Sequence, residues 1–178
     1  MRHTFLLAAI VIGGALPAAA QHDKHHEPTW PLSDVAKLQA QYFGWAVKAA
    51  EQMPEADYAF KPTPEVRSFG EIAGHLANAN YAFCSTAKGE KSPQTENYEK
   101  AAGKAAIIAG LKAAEAYCAA ALGSMSHERA MAQVELFGMK GTVNWVMAFN
   151  LAHNAEHYGN LVTYLRMKGL VPPSSQGS

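Results

Sequence analysis

The sequence predicts an all-α protein folded as a four-helix bundle. Four long runs carry apolar residues at helical spacing and are bounded by recognisable start and stop residues, and no strand-like alternation or repeat competes with them. The last run contains "LAHNAEHYGNLVTYLRMKGLVPP", in which His153 and His157 stand one helical turn apart.

At 178 residues the chain has room for one domain with a core of its own. Its 15 basic and 15 acidic residues leave no net charge, so the basic footprint of a nucleic-acid binder is missing and no nucleic-acid partner is expected.

Residues 1–20 have the layout of a signal peptide. Arg2 and His3 precede the apolar run "FLLAAIVIGGAL", which ends in "PAAA" before Gln21, and cleavage is expected near Ala20. The run falls short of the roughly 18 to 20 apolar residues that a membrane span needs. A periplasmic or secreted destination follows, with no membrane span expected in the mature protein. Residues 21–31, "QHDKHHEPTWP", read as a flexible tail; His22, His25 and His26 would hold a metal only weakly there, because ordering the arm opposes binding. Residues 32–173 are assigned to the bundle and 174–178 to a disordered C-terminus.

The first helix is expected from Ser33, as N-cap, to Pro54, which stops it. "PEADYAFKPTPEVR" holds three prolines and is an extended connection. The second helix opens on Ser68-Phe69-Gly70-Glu71, a capping-box pattern, and stops at Gly89. The polar link "EKSPQTEN" leads to a third helix, the Ala-rich "YEKAAGKAAIIAGLKAAEAYCAAAL", closed by Gly123. The fourth begins near Thr142 and ends at Gly169, with Arg166 and Lys168 in its last turn and Leu170 placed for a Schellman contact; Pro172 and Pro173 forbid continuation.

On that fourth helix Val146, Phe149, His153, His157 and Tyr164 share one face, with Asn150 and Asn160 on or beside it. One buried histidine is commonly a plain core residue. Two at i and i+4 stack their rings one above the other and can converge on a single ion, and burying both without a shared purpose is unfavourable twice over. A mononuclear site needs a third ligand, and His75 in "GEIAGHLANANYAF" is the only histidine in another predicted helix. An antiparallel pairing of the second and fourth helices would bring it to the pair. Three imidazoles leave coordination open for water or substrate, which separates catalytic from structural sites.

"RSFGEIAGHLANANYAF", followed some 70 residues later by "HNAEHYGNLVTYLRMKGLVPP", resembles the DinB-like superfamily of metal-binding four-helix bundles. The likeness extends over about residues 32 to 173. It implies that His75, His153 and His157 ligate a divalent ion, and that the bundle runs up-down-down-up with a long link between the second and third helices. Where many members carry a further His, an Arg and a Gln around the last ligand, this chain has Glu156, Tyr158 and Asn160. Relatives include transferases that use low-molecular-weight thiols, reagents of the cytoplasm. The family's ring order makes the second and third helices diagonal, which opposes a Cys84–Cys118 bridge; parallel helices in an exported chain favour one. The pairing stays open at this point.

A divalent ion on three neutral ligands, zinc or nickel foremost, keeps its full charge and would activate water or polarise a carbonyl or phosphoryl oxygen. A metal-dependent hydrolase of a small-molecule substrate is therefore the simplest function. Glu156 and Glu71 are the candidate general bases or supporting carboxylates, although Glu156 flanks the His face and Glu71 is occupied if it closes the capping box. The alternatives are a non-catalytic periplasmic protein that binds a metal or small ligand, a thiol-dependent transferase, and a bundle whose histidines only pack. A homodimer is compatible with all of them.

Overall fold

The computed structural model describes residues 32–101 and 103–177, so the expected signal peptide and His-containing tail lie outside the described residues. The elements in order are α1 (Leu32–Gln52), α2 (Phe69–Lys88), α3 (Lys104–Gly123), a short α4 (His127–Met131), strands β1 (Gln133–Leu136) and β2 (Met139–Thr142), and α5 (Val143–Met167). The four long helices make the bundle.

Its helix ends follow from local chemistry. Ser68 Oγ accepts from the Glu71 amide, and the Glu71 carboxylate accepts from the Ser68 amide at 2.6 Å, closing the capping box of α2. Gly89, at φ 74, ends that helix and lets the Gly89 and Glu90 amides reach back to the Thr86 and Ser85 carbonyls. Thr142 caps α5 by accepting from the Trp145 amide. At its far end the Leu170 amide donates to Leu165 O and the Gly169 amide to Arg166 O, a Schellman closure. α1 already includes Leu32, so Ser33 sits in its first turn and does not cap it.

Helix directions come from contacts at the ends. Lys104 Nζ, at the start of α3, donates to the Glu51 and Met53 carbonyls at the end of α1, so these two are antiparallel. A disulfide joins Cys84 and Cys118 near the C-terminal ends of α2 and α3, which are therefore parallel. Asn80 of α2 pairs with Asn154 of α5, while His75, earlier in α2, meets the later His157, an antiparallel crossing. The bundle is up-down-down-up. α2 packs on α3 and α5, and α1 packs on the same two, leaving α1 and α2 across the diagonal. The expected diagonal placement of the second and third helices is corrected: they are neighbours. Gly74 and Gly110 permit this, because neither carries a side chain where Tyr98 wedges against both helices.

Three further expectations are revised. The third helix begins at Lys104 and not at Tyr98, because Asn97 caps a separate 3-10 turn over Tyr98–Lys100 and Gly103 departs from helical geometry at φ 89. Residues 133–142, expected to hold no strand, form an antiparallel hairpin turning on Phe137 (φ 52) and Gly138 (φ 77). Ser174 and Ser175 are not disordered: Ser174 exchanges hydrogen bonds with the Tyr158 hydroxyl, within a short 3-10 turn. By length and composition α3 is also apolar enough to cross a membrane, which the sequence reading had not anticipated; here Leu111, Ala114 and Cys118 on its inner face are buried in the bundle.

The core divides in two. One apolar cluster centres on Phe43, Phe69, Leu76 and Leu161, the other on Phe83, Val143, Val146 and Met147. Asn80, Asn150 and Asn154, all buried, are joined by their amides: Asn80 Nδ2 donates to Asn154 Oδ1 at 2.8 Å, and Asn150 Nδ2 donates to Asn80 Oδ1 at 3.1 Å. These bonds satisfy most of the layer's polar atoms, while Asn150 Oδ1 is buried without a partner.

Candidate metal centre

The antiparallel α2 and α5 bring His75, His153 and His157 together, as the spacing predicted. One ring nitrogen from each lies within 4.8 Å of the others, and all three side chains are half-buried. His75 Nε2 and His153 Nε2 are 3.1 Å apart. Two imidazole nitrogens on one tetrahedral zinc would be separated by about 3.3 Å, given a zinc to nitrogen bond of roughly 2.0–2.1 Å. The ring centroids of the three pairs lie 4.4 to 5.1 Å apart.

Burial and the facing imidazoles push the His153 pKa down to about 3, burial contributing most, and burial followed by His75 also lowers that of His157. Both rings are thereby kept in the neutral form that binds metal. His153 Nδ1, the other ring nitrogen, is buried without a hydrogen-bond partner. A donor set of three imidazoles fits a divalent ion of the zinc or nickel type.

The surroundings hold residues that sequence reasoning missed. Glu99 Oε2 lies 3.3 Å from His75 Nδ1, and Glu99 Oε1 accepts from Arg67 Nε at 2.7 Å. A carboxylate on Nδ1 fixes the tautomer that leaves Nε2 free to ligate. Glu99 comes from the link before α3, and its position depends on the docking of Tyr98, which no local pattern announces. Phe83, fully buried, sets its ring 5.5 Å from that of His153. Asn154, adjacent in sequence to His153, anchors α5 to α2 through Asn80, and the Asn160 amide lies 3.3 Å from His157 Nδ1.

The two carboxylates singled out from the sequence stand differently. Glu71 is engaged by the Ser68 amide and by Lys61 Nζ at 3.1 Å, and these partners, the Ser68 amide first, hold its carboxyl below the usual carboxylate range. Glu156 is exposed on α5 beside His157 and slightly favours the protonated form of that ring. Glu99 is the carboxylate in contact with one of the three clustered histidines.

Residues 46–161 match the DinB superfamily, in the family DinB_2. The chain belongs to the DinB superfamily. Solved structures with the same fold include a DinB-like protein, YjoA, from Bacillus subtilis, with 21% identity and a TM-score of 0.66, covering 82% of this chain and 99% of that one. A DinB-like protein from Bacillus cereus superposes with a TM-score of 0.68 at 15% identity, covering 80% and 93% respectively. A variant of mycothiol-dependent maleylpyruvate isomerase aligns with a TM-score of 0.64 at 14% identity, over 74% of this chain and 61% of that one. At these identities the likeness is one of fold. No curated protein shows significant similarity to the chain.

Proposed function

We propose that this DinB-superfamily protein is an exported, metal-dependent enzyme, most simply a hydrolase of a small-molecule substrate. The observation that carries the reading is the convergence of three half-buried imidazoles beside a carboxylate held in place by an arginine. His75, His153 and His157 would hold the ion, which supplies Lewis-acid polarisation of a substrate oxygen and activation of water. Glu99 would orient His75 and is the nearest carboxylate able to accept a proton at the site, while Arg67 holds it in place. Export is supported by the signal-like residues 1–20 and by the Cys84–Cys118 disulfide, which suits an oxidising compartment.

A second reading is thiol-dependent transfer or isomerisation, favoured by the structural likeness to the mycothiol-dependent isomerase. One experiment separates them. Protein recovered from the periplasm is loaded with zinc or nickel and offered chromogenic carboxylic and phosphoric esters, with and without a low-molecular-weight thiol. Turnover without thiol, abolished by chelator and by His153→Ala, supports the hydrolase. Turnover only with thiol supports the second reading. Tight metal binding without turnover in either arm points to a binding protein.

A further inference from the structure

The hairpin of β1 and β2 turns on two residues, Phe137 at φ 52 and Gly138 at φ 77, a geometry that suits Asn and Gly and not a bulky aromatic side chain. Phe137 is nonetheless there, 64% exposed, and its ring meets the fully buried Phe83 edge-on at 5.7 Å. Backbone strain held at an exposed position collects at ligand-binding sites. Phe83 also packs against Phe149 at 5.1 Å and against His153 at 5.5 Å, and Phe149 stands one helical turn before His153 on α5. Both Phe149 and His153 are half-buried. An aromatic surface therefore starts at the His cluster and ends at the hairpin tip. The charged groups beside the cluster lie elsewhere, Glu99 and Arg67 at His75 and Glu156 at His157. The hairpin's own charges, Glu135 and its cross-strand partner Lys140, alternate with the buried Leu136 and so occupy the outward face.

We propose that Phe137 and Phe149 wall a subsite for the apolar arm of the substrate, so that the molecule taken at the His cluster carries an aryl group next to its reacting oxygen. The inference rests on the metal-dependent reading above and adds the substrate class to it. Phe149 supplies one wall from α5, and Phe137 supplies the other from the hairpin. An aryl ring placed between them gains edge-to-face contact and loses water, whereas a methyl group removes far less apolar surface from solvent.

The test titrates cobalt-loaded protein with acetohydroxamate and phenylacetohydroxamate, which share a metal-binding head and differ in the arm, and reads the visible spectrum. Phenylacetohydroxamate is expected to bind at least about tenfold more tightly, as burying much of one phenyl ring allows. Phe137→Asn keeps the turn geometry and discards the ring. In that variant the gap is expected to shrink to within about threefold, while the affinities for acetohydroxamate and for the metal stay unchanged. Phe137→Gly is expected to do the same, and circular dichroism checks that both variants remain folded. No spectral response to either hydroxamate overturns the metal-dependent reading and the subsite with it. A response to both with equal affinity in the unaltered protein, or a preference that survives intact in Phe137→Asn and Phe137→Gly, overturns the subsite alone.

Discussion

Glu99 reaches His75 Nδ1 at 3.3 Å while its other oxygen accepts from Arg67 Nε at 2.7 Å, so a pair from outside the long helices steers one of the three clustered histidines. Removing such a partner of a metal-bound histidine typically lowers metal affinity by roughly 10–100-fold. Glu99→Gln is expected to fall in that range, and Arg67→Met to cost less, since the Glu99 carboxylate stays beside His75. Competition with a chromophoric chelator gives the affinities. Unchanged binding in Glu99→Gln would show that His75 needs no such support.

The three ligands themselves should be indispensable, and the tail histidines should not. His153→Ala removes one of three rings that each face the other two, and is expected to abolish tight binding of about one ion per chain. Deleting residues 21–28 should leave it intact. Metal analysis after dialysis decides; loss on deletion with retention in His153→Ala would move the site to the tail.

How much of this was legible beforehand depends on how local each signal is. Ser68 with Glu71, Gly89, Thr142 and Gly169 act on neighbours within one turn, and each was readable from adjacent residues. The His75, His153 and His157 cluster was readable because i,i+4 spacing and a single antiparallel pairing suffice to assemble it. Glu99 was not, because its place depends on Tyr98 docking against Gly74 and Gly110, far away in sequence. The hairpin escaped because its strands have four residues each and its turn uses Phe137-Gly138, without the Asn or Asp that usually marks such a turn. The ring order was misjudged because it was carried over from the family resemblance, and the Ala-rich α3 presents no strongly one-sided apolar face that would have corrected it.

The dependence of Glu99 on Tyr98 makes a glycine outside the ligand set functionally important. A methyl group at Gly74 would collide with the Tyr98 carbonyl and come within 2.6 Å of the Glu99 amide nitrogen, all of it backbone that must shift. Gly74→Ala is expected to destabilise the fold by about 1–3 kcal/mol, as overpacking does, and also to weaken metal binding by displacing Glu99. Gly159→Ala, whose methyl group meets nothing within 4 Å, is the control: it should leave metal binding unchanged and, as a change inside a helix, raise stability by about 0.5–1 kcal/mol. Denaturant titration and chelator competition on the same samples would separate the two effects.

Stability should come mainly from the core and the disulfide. The bundle buries two apolar clusters without help from a ligand, so chelation is expected to lower Tm while leaving the circular dichroism spectrum helical. The Cys84–Cys118 bridge closes a separation of 34 residues, for which chain entropy gives about 3–4 kcal/mol. The double replacement Cys84→Ser, Cys118→Ser should therefore destabilise more than metal removal from a weakly loaded site. A random-coil spectrum on chelation would make the ion structural.

The most exposed prediction is that the ion keeps a position for an exogenous ligand. Among the described residues the cluster contains only the three histidines. Both cysteines are consumed by their disulfide, Glu71 is held by Ser68 and Lys61, and Glu99 faces His75 at Nδ1, the ring nitrogen away from His153. Glu156 is exposed on the helix that carries two of the ligands and is the remaining contender to close the shell. Cobalt-substituted protein should change its visible spectrum when millimolar azide or a small thiol is added, because an anion entering an open position alters the ligand field. Glu156→Gln should give the same response as the unaltered protein. A spectrum indifferent to both anions, becoming responsive only in Glu156→Gln, would identify that carboxylate as a fourth ligand and turn the reading from catalysis towards storage.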